Sequence, residues 1–344
     1  MKKTLLCLFI PCFAFCQQKN TYKNLALEGG GVRGIAYAGV FKVLEQNGVL
    51  HNIEKIAGSS AGAIAGLMIA VGYSAEDMDS ILMELPVQQF NDGKGGVIGK
   101  YGRVKHKFGI YKGDRFENWL KQLVKNKTGN EELTFKELHA LHLQNNLFKD
   151  LYCTGTNISK QQLEIFSYEH TPDMPVALAV RISGGIPFYF QPIALNDRLQ
   201  KIKKGDTASF INYYVDGGML CNYPISMFDS CENKANPLLC FSAKLNPATL
   251  GIKLERAEQI DSLNNNSIAI PPYDPHNLGE YVVAFSNLLM ETLARKYPRL
   301  ENEIGRTIYV SYGNINSRIK KMKDTEKRLL YDNGVKAAME FFKE

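Results

Sequence analysis

Hydrophobic and polar positions along this chain fall into two repeating patterns. Short apolar runs at Asn24–Leu27, Ile53–Ala57, Asp150–Thr154, Leu163–Ser167, Asn212–Val215, Leu238–Ala243 and Thr307–Ser311 read as strands. Between many of them apolar residues recur every three or four positions. That spacing predicts helices over Gly34–Gln46, Ala61–Ala70, Ala75–Glu84, Arg115–Lys125, Val176–Ile182, Gly279–Tyr297 and Asp324–Phe342. Strands that alternate with helices pair in parallel, because each helix carries the chain back to the same end of the sheet. The expected architecture is therefore α/β, three layers (α/β/α) around a mostly parallel central sheet. Two stretches break the pattern. Asn91–Lys112 is rich in Gly, Lys and aromatics, Asn264–Asn277 is polar and holds prolines, and both predict surface loops. No internal repeat or low-complexity linker divides the chain. One domain is expected over 17–344, with a motif-bearing core at 24–224 and 225–344 completing it.

The first residues obey a different rule. Lys2 and Lys3 precede an apolar run from Leu5 to Phe15, too short to span a bilayer and followed by Cys16. This is the pattern of a secretory signal over 1–16, which implies a secreted or periplasmic protein. Bulky Phe15 stands where a lipoprotein signal wants a small residue, so cleavage before Gln17 is favoured over lipid anchoring at Cys16. Cleavage would remove two of 41 basic and none of 35 acidic residues, lowering the net charge from +6 to +4. That mild charge, without an Arg-rich segment, gives no reason to expect nucleic acid. The cysteines that remain, Cys153, Cys221, Cys231 and Cys240, lack the C-x-x-C spacing of a structural zinc site, and their pairing is open.

Chemistry gathers after the first two strands. Leu25-Ala26-Leu27 runs into Gly29-Gly30-Gly31-Val32-Arg33-Gly34, and a helical pattern follows. A G-x-G-x-x-G spelling between strand and helix fits a dinucleotide cradle. Such a cradle needs a carboxylate near the end of the second strand to hold the ribose. Here that strand ends in Ile56-Ala57 and passes into Gly58-Ser59-Ser60-Ala61-Gly62. G-x-S-x-G between a strand and an apolar helix is a nucleophile elbow, a turn that holds its central serine in a strained, exposed backbone. Ser59 has the same chemistry but the wrong position in the turn. Gly58 and Gly62 let strand and helix approach closely, and Ser60 stands where helix N-terminal amides favour negative charge. Acyl transfer at a serine develops an oxyanion, best stabilised by backbone amides. The amides of Gly29, Gly30 and Gly31 are placed to supply them, so the loop is read as an oxyanion hole.

A serine needs a base. Among six histidines only His276, in Tyr273-Asp274-Pro275-His276-Asn277, follows a plausible acid, which leaves a Ser60–Asp216–His276 triad open. The other candidate is Asp216 itself, at the end of the run Asn212–Val215 and followed by Gly217-Gly218. Together, G-G-G-x-R-G at Gly29–Gly34, G-x-S-x-G at Gly58–Gly62 and D-G-G at Asp216–Gly218 resemble the patatin-like phospholipase family. Leu178–Pro192 and Asn222-Tyr223-Pro224 also fit, and Ser183-Gly184-Gly185 departs from the family's usual run in a way read as minor for chemistry.

The resemblance covers about Asn24 to Pro224 and implies a patatin-like fold. It implies a serine lipid acyl hydrolase, of phospholipase A, lysophospholipase or esterase type, with a Ser–Asp dyad and no histidine. In this sequence Ser60 would be the nucleophile, Asp216 the base, and Gly29, Gly30 and Gly31 the oxyanion hole. Arg33, Gly34, Gly58, Gly62, Gly217 and Gly218 would support the motifs. No metal or other cofactor is implied, and no calcium-loop spacing appears. An ordinary aspartate is a weak base at neutral pH, so burial and a direct hydrogen bond to Ser60 must compensate. A lipid-binding module without catalysis is the alternative, and the intact motifs argue against it. The implied substrate is a phospholipid or another lipid ester. Lys94–Lys112 interleaves Lys and Arg with Val97, Ile98, Tyr101, Phe108 and Tyr111, a composition suited to touching an anionic membrane surface.

Overall fold

Asn24–Leu27 is buried at every position, as a strand with a neighbour on each side and a helix layer over it must be. It opens a computed structural model that describes residues 22–202, 210–230, 244–264, 274–276, 305–315 and 321–343, with residues 281, 284, 288 and 303. The strands are β1 (Asn24–Leu27), β2 (Lys55–Gly58), β3 (Gly109–Tyr111), β4 (Asp150–Asn157), β5 (Gln162–Phe166), β6 (Phe188–Phe190), β7 (Ile193–Leu195), β8 (Asn212–Asp216), β9 (Thr249–Glu255) and β10 (Thr307–Ser311). The helices are α1 (Ala36–Gln46), α2 (Val49–Asn52), α3 (Ala61–Ala70), α4 (Ala75–Met83), α5 (Gly96–Lys107), α6 (Asp114–Thr128), α7 (Phe135–Gln144), α8 (Val176–Ser183), α9 (Ala257–Asn264) and α10 (Asp324–Phe341).

Hydrogen-bonded neighbours in the main sheet run β10-β9-β1-β2-β4-β8-β7, and β5 also pairs with β4. The pairs from β10 to β4 are parallel, and β5, β7 and β8 join antiparallel. Helices flank this largely parallel sheet, as expected: α3 and α8 pack on β4, and α10 packs on β10 and crosses α1. A short parallel pair, β3 with β6, stands apart.

The register on β4 sets up everything that follows. Cys153 pairs with Gly58 of β2 and with Phe166 of β5, so those strands lie on opposite flanks. Gly155 pairs with Glu164 of β5 and with Asp216 of β8, so β8 also lies opposite β5. Strands β2 and β8 therefore share one flank of β4 and run toward each other. Their ends, Gly58 and Asp216, face positions two residues apart, about 7 Å along the strand.

Several elements depart from the sequence reading. The loop expected over Asn91–Lys112 contains α5 and β3. Glycines at 95, 96, 99 and 102 lower helix propensity and hid the pattern. Strand β9 was missed although Leu250, Ile252 and Leu254 alternate with Gly251 and Lys253, because glycine and lysine are both poor strand formers. Helix α7 was missed too, although Thr134 and Glu137 form a capping box that marks its start. The three-residue strands β6 and β7 lie beside Pro187 and Pro192 and are too short to register. The leader at 1–16, the strand at Leu238–Ala243 and nearly all of the helix at Gly279–Tyr297 lie outside the described residues.

Candidate active site

Helix α3 (sequence AGAIAGLMIA) is apolar all round and almost wholly buried, the signature of a helix inside the molecule rather than on it. To start there it must turn directly off the end of β2. A Cβ at Gly58 would lie 2.5 Å from Gly62 O, and one at Gly62 would lie 2.3 Å from Leu27 O. Only glycine fits either place. The turn leaves Ser60 at φ 50° and ψ −119°, a backbone that costs a side-chain-bearing residue about 1–3 kcal/mol.

Asp216 meets Ser60 from the opposing strand. Ser60 Oγ donates to Asp216 Oδ2 at 2.7 Å, and the second carboxylate oxygen accepts from Gly218 N at 2.8 Å. The Asp216 backbone is fixed as well: its amide donates to Gly185 O, and its carbonyl accepts from Thr156 Oγ1. Both side chains are buried. Burial pushes the Asp216 carboxyl up from the ordinary 3.8 to about 7, against the hydrogen bonds from Ser60 and Gly218 that favour its ionised form. A carboxylate so raised is matched to proton transfer near neutral pH.

The glycine loop lies against the same turn. A Cβ on Gly29 would come within 3.0 Å of Ser60 Cβ, and one on Gly34 within 3.0 Å of Ala61 Cβ. Its anchor is Glu28, whose buried carboxylate accepts from Leu254 N at 2.7 Å and from Asn222 Nδ2 at 3.2 Å. Arg33 donates from Nε to Gly30 O and lies 3.9 Å over the ring of Tyr312, so its part is to hold the loop in shape.

One expected oxyanion donor is already engaged. The Gly29 amide donates to Asn222 O at 3.0 Å, because Asn222 grips Gly29 through both its amide and its carbonyl. The amides of Gly30 and Gly31 find no acceptor among the described residues, and neither does that of Ala61. Ala61 opens α3, where an N–H has no intrahelical partner. It follows the elbow serine, so the motif alone was enough to find it.

Ser183 was legible only in three dimensions. At the end of α8, its Oγ accepts from Ser60 N at 3.0 Å and holds the strained residue from behind. On the same helix, buried Arg181 donates to the carbonyls of Lys112, Gly113 and Gln191 and tethers the β3–β6 pair to α8.

The structure does not bring His276 between serine and aspartate, which touch directly. Its side chain is exposed, with Nε2 3.9 Å from Asp274. Ser59 is fully buried, out of reach of a substrate.

Comparison with known proteins identifies the family and the fold. Residues 25–229 match the patatin-like phospholipase family. An uncharacterized protein of Acanthamoeba polyphaga mimivirus is 33% identical over 213 residues, which cover 62% of this chain and 63% of that protein. YqhO of Bacillus subtilis is 34% identical, over 60% of this chain and 67% of its own. A probable lipid hydrolase of Invertebrate iridescent virus 6 is 29% identical, over 65% and 69%. The crystal structure of VipD from Legionella pneumophila shares the fold, with a TM-score of 0.61 at 19% identity over 94% of this chain and 67% of that one. The chain belongs to the patatin-like phospholipase family.

Proposed function

We propose that this chain is a serine lipid acyl hydrolase that works with a Ser60–Asp216 dyad. The observation that carries the reading is the 2.7 Å hydrogen bond from Ser60 Oγ to Asp216 Oδ2, made in a buried site at a strained turn. Ser60 Oγ attacks the ester carbonyl carbon while its proton passes to Asp216 Oδ2. Negative charge builds on the carbonyl oxygen, and the amides of Gly30, Gly31 and Ala61 receive it. Collapse of the tetrahedral intermediate expels the alcohol, which takes the proton from Asp216 and leaves the acyl group on Ser60. Water, deprotonated by Asp216, then releases the fatty acid and returns the proton to Ser60. Each step uses the carboxylate in one state and regenerates the other, so a value near 7 serves both.

Replacement of the base tests the reading. Asp216→Asn keeps the shape of the side chain and removes its basicity, so hydrolysis of short-chain esters and of phospholipid should fall at least about a hundredfold. His276→Ala should leave both unchanged. Full activity in the first variant with loss in the second would return the chemistry to a histidine triad. Export of the chain by residues 1–16 is part of the same proposal, and N-terminal sequencing of protein recovered from outside the cytoplasm should begin at Gln17.

A further inference from the structure

Helix α5 buries none of its residues. Val97, Ile98 and Tyr101 are 83%, 87% and 69% exposed, and Val104 and Phe108 beyond them are exposed too. At 100° per residue these five side chains fall within an arc of roughly 120°. Lys100 and Lys107 flank the arc on one side, and Lys105 stands within it between Tyr101 and Ile98, all exposed. The opposite side of the helix fastens it to the molecule: Arg103 donates to Ile110 O at 2.6 Å and to Lys94 O. A helix that packs on a core turns its apolar face inward. This one turns it outward. Nor does propensity hold it in water, since it is short and carries glycines within its turns.

The apolar face continues past the helix. Phe108 and Phe188 both have left-handed backbones, at φ 60° and 64°, which are unfavourable for a bulky residue. Both rings are nonetheless largely exposed, at 52% and 72%. Gly109 pairs in register with Phe188, which makes the two phenylalanines neighbours. At Phe108 that backbone caps α5 through its amide to Val104 O, yet the ring still stands half in water, as the Phe188 ring does. Strain of this kind gathers where a surface has a task.

That surface adjoins the candidate active site. Phe188 is three positions from Gly185, whose carbonyl accepts from the Asp216 amide. The Phe108 ring meets Tyr213, three positions before Asp216, edge-on at 5.7 Å. Arg181 joins the β3–β6 pair to α8, the helix that carries Ser183.

We propose that α5, Phe108 and Phe188 form a docking face that seats the protein on an anionic lipid bilayer, with the mouth of the Ser60 site against the lipid. The purpose of this docking rests on the lipid-hydrolase reading. Its occupant follows from charge: residues 94–112 carry six Lys and Arg and no Asp or Glu around the apolar arc. Such a face suits an anionic interface, with the apolar side chains in the acyl boundary and the lysines among the headgroups. Among the described residues no helix is long and apolar enough to cross a membrane, and α5 lies in the plane of the surface in this proposal.

The test is sedimentation of the full chain with vesicles of ether-linked phosphatidylglycerol and phosphatidylcholine, which esterases cannot consume. The protein should sediment with these vesicles, and less with pure phosphatidylcholine or in high salt. A triple variant, Val97→Ser with Ile98→Ser and Tyr101→Ser, should lose at least about tenfold in binding. Lys100→Gln with Lys105→Gln and Lys107→Gln keeps the apolar arc and should lose a similar factor. Both variants should hydrolyse a soluble short-chain ester as the parent does and ester-linked vesicles more slowly. A parent chain that ignores phosphatidylglycerol vesicles, or variants that bind them unchanged, would overturn the proposal. So would variants that lose only self-association in ultracentrifugation, which would assign the face to a second copy. If the parent hydrolyses no ester at all, the hydrolase reading fails, and sedimentation still decides the docking.

Discussion

The Ser60 turn and helix α5 are both rich in glycine, and for opposite reasons. At Gly58 and Gly62 backbone meets backbone, and an added Cβ has no room. At Gly96 and Gly102 a Cβ would meet nothing within 4 Å. The first pair locks a single strained conformation into the core. The second belongs to a helix with no core beneath it. The same residue type thus marks a turn packed backbone on backbone and a helix with no core beneath it. Only packing tells them apart.

Substitution at the glycines should separate the two regions most sharply. Gly58→Ala forces a methyl group against the Gly62 carbonyl and should cost more than about 3 kcal/mol in a denaturant melt, with loss of ester hydrolysis. An unchanged melt would mean that strand and helix do not approach so closely.

Asp216 carries the next largest effect, and its sign is unusual. Because burial raises its carboxyl from 3.8 to about 7, the folded chain binds this proton more tightly than the unfolded one. The resulting stabilisation is complete below pH 3.8 and is lost as pH rises through about 7, on the order of 4 kcal/mol in all. Asp216→Asn should therefore melt higher than the parent at pH 8 while losing activity, a trade of stability for chemistry. The parent's kcat/KM should rise with pH through about 7, with a slope of one. A variant less stable than the parent at pH 8 would deny the strain on the carboxylate.

Smaller effects complete the contrast. Ser183→Ala leaves the Ser60 amide without its acceptor, and kcat should fall about tenfold with KM unchanged. Gly102→Ala adds a methyl group in open space and should stabilise α5 by about 0.8–1 kcal/mol, read as slower hydrogen exchange over residues 96–107, without changing short-chain ester hydrolysis.

The same contrast explains what the sequence could tell. The elbow, the D-G-G turn and the alternation of strands and helices are local patterns with steric causes, and Gly58–Gly62 spells its own geometry. The meeting of β2 and β8 on one flank of β4 depends on register between distant strands, so the contact of Ser60 with Asp216 was expected from the family resemblance and not from the spacing of the motifs. The Gly29 amide was assigned by spelling alone, and Asn222 had taken it. Arg181 reads as an ordinary helix residue, and Ser183, noted in the sequence only as minor for chemistry, shows its bond to Ser60 once α8 is laid beside the turn. Helix α5 was illegible for a further reason: its glycines speak against a helix, and its outward apolar face has no partner within the described chain to make the pattern intelligible.

The central claim is that Ser60, activated by direct contact with Asp216, attacks the substrate. Fluorophosphonate labelling of the full chain, with the adduct located by mass spectrometry, tests it most directly. The account predicts one adduct, on Ser60, absent in Ser60→Ala and strongly slowed in Asp216→Asn. Undiminished labelling of Ser60→Ala, or an adduct on any other serine, would contradict it.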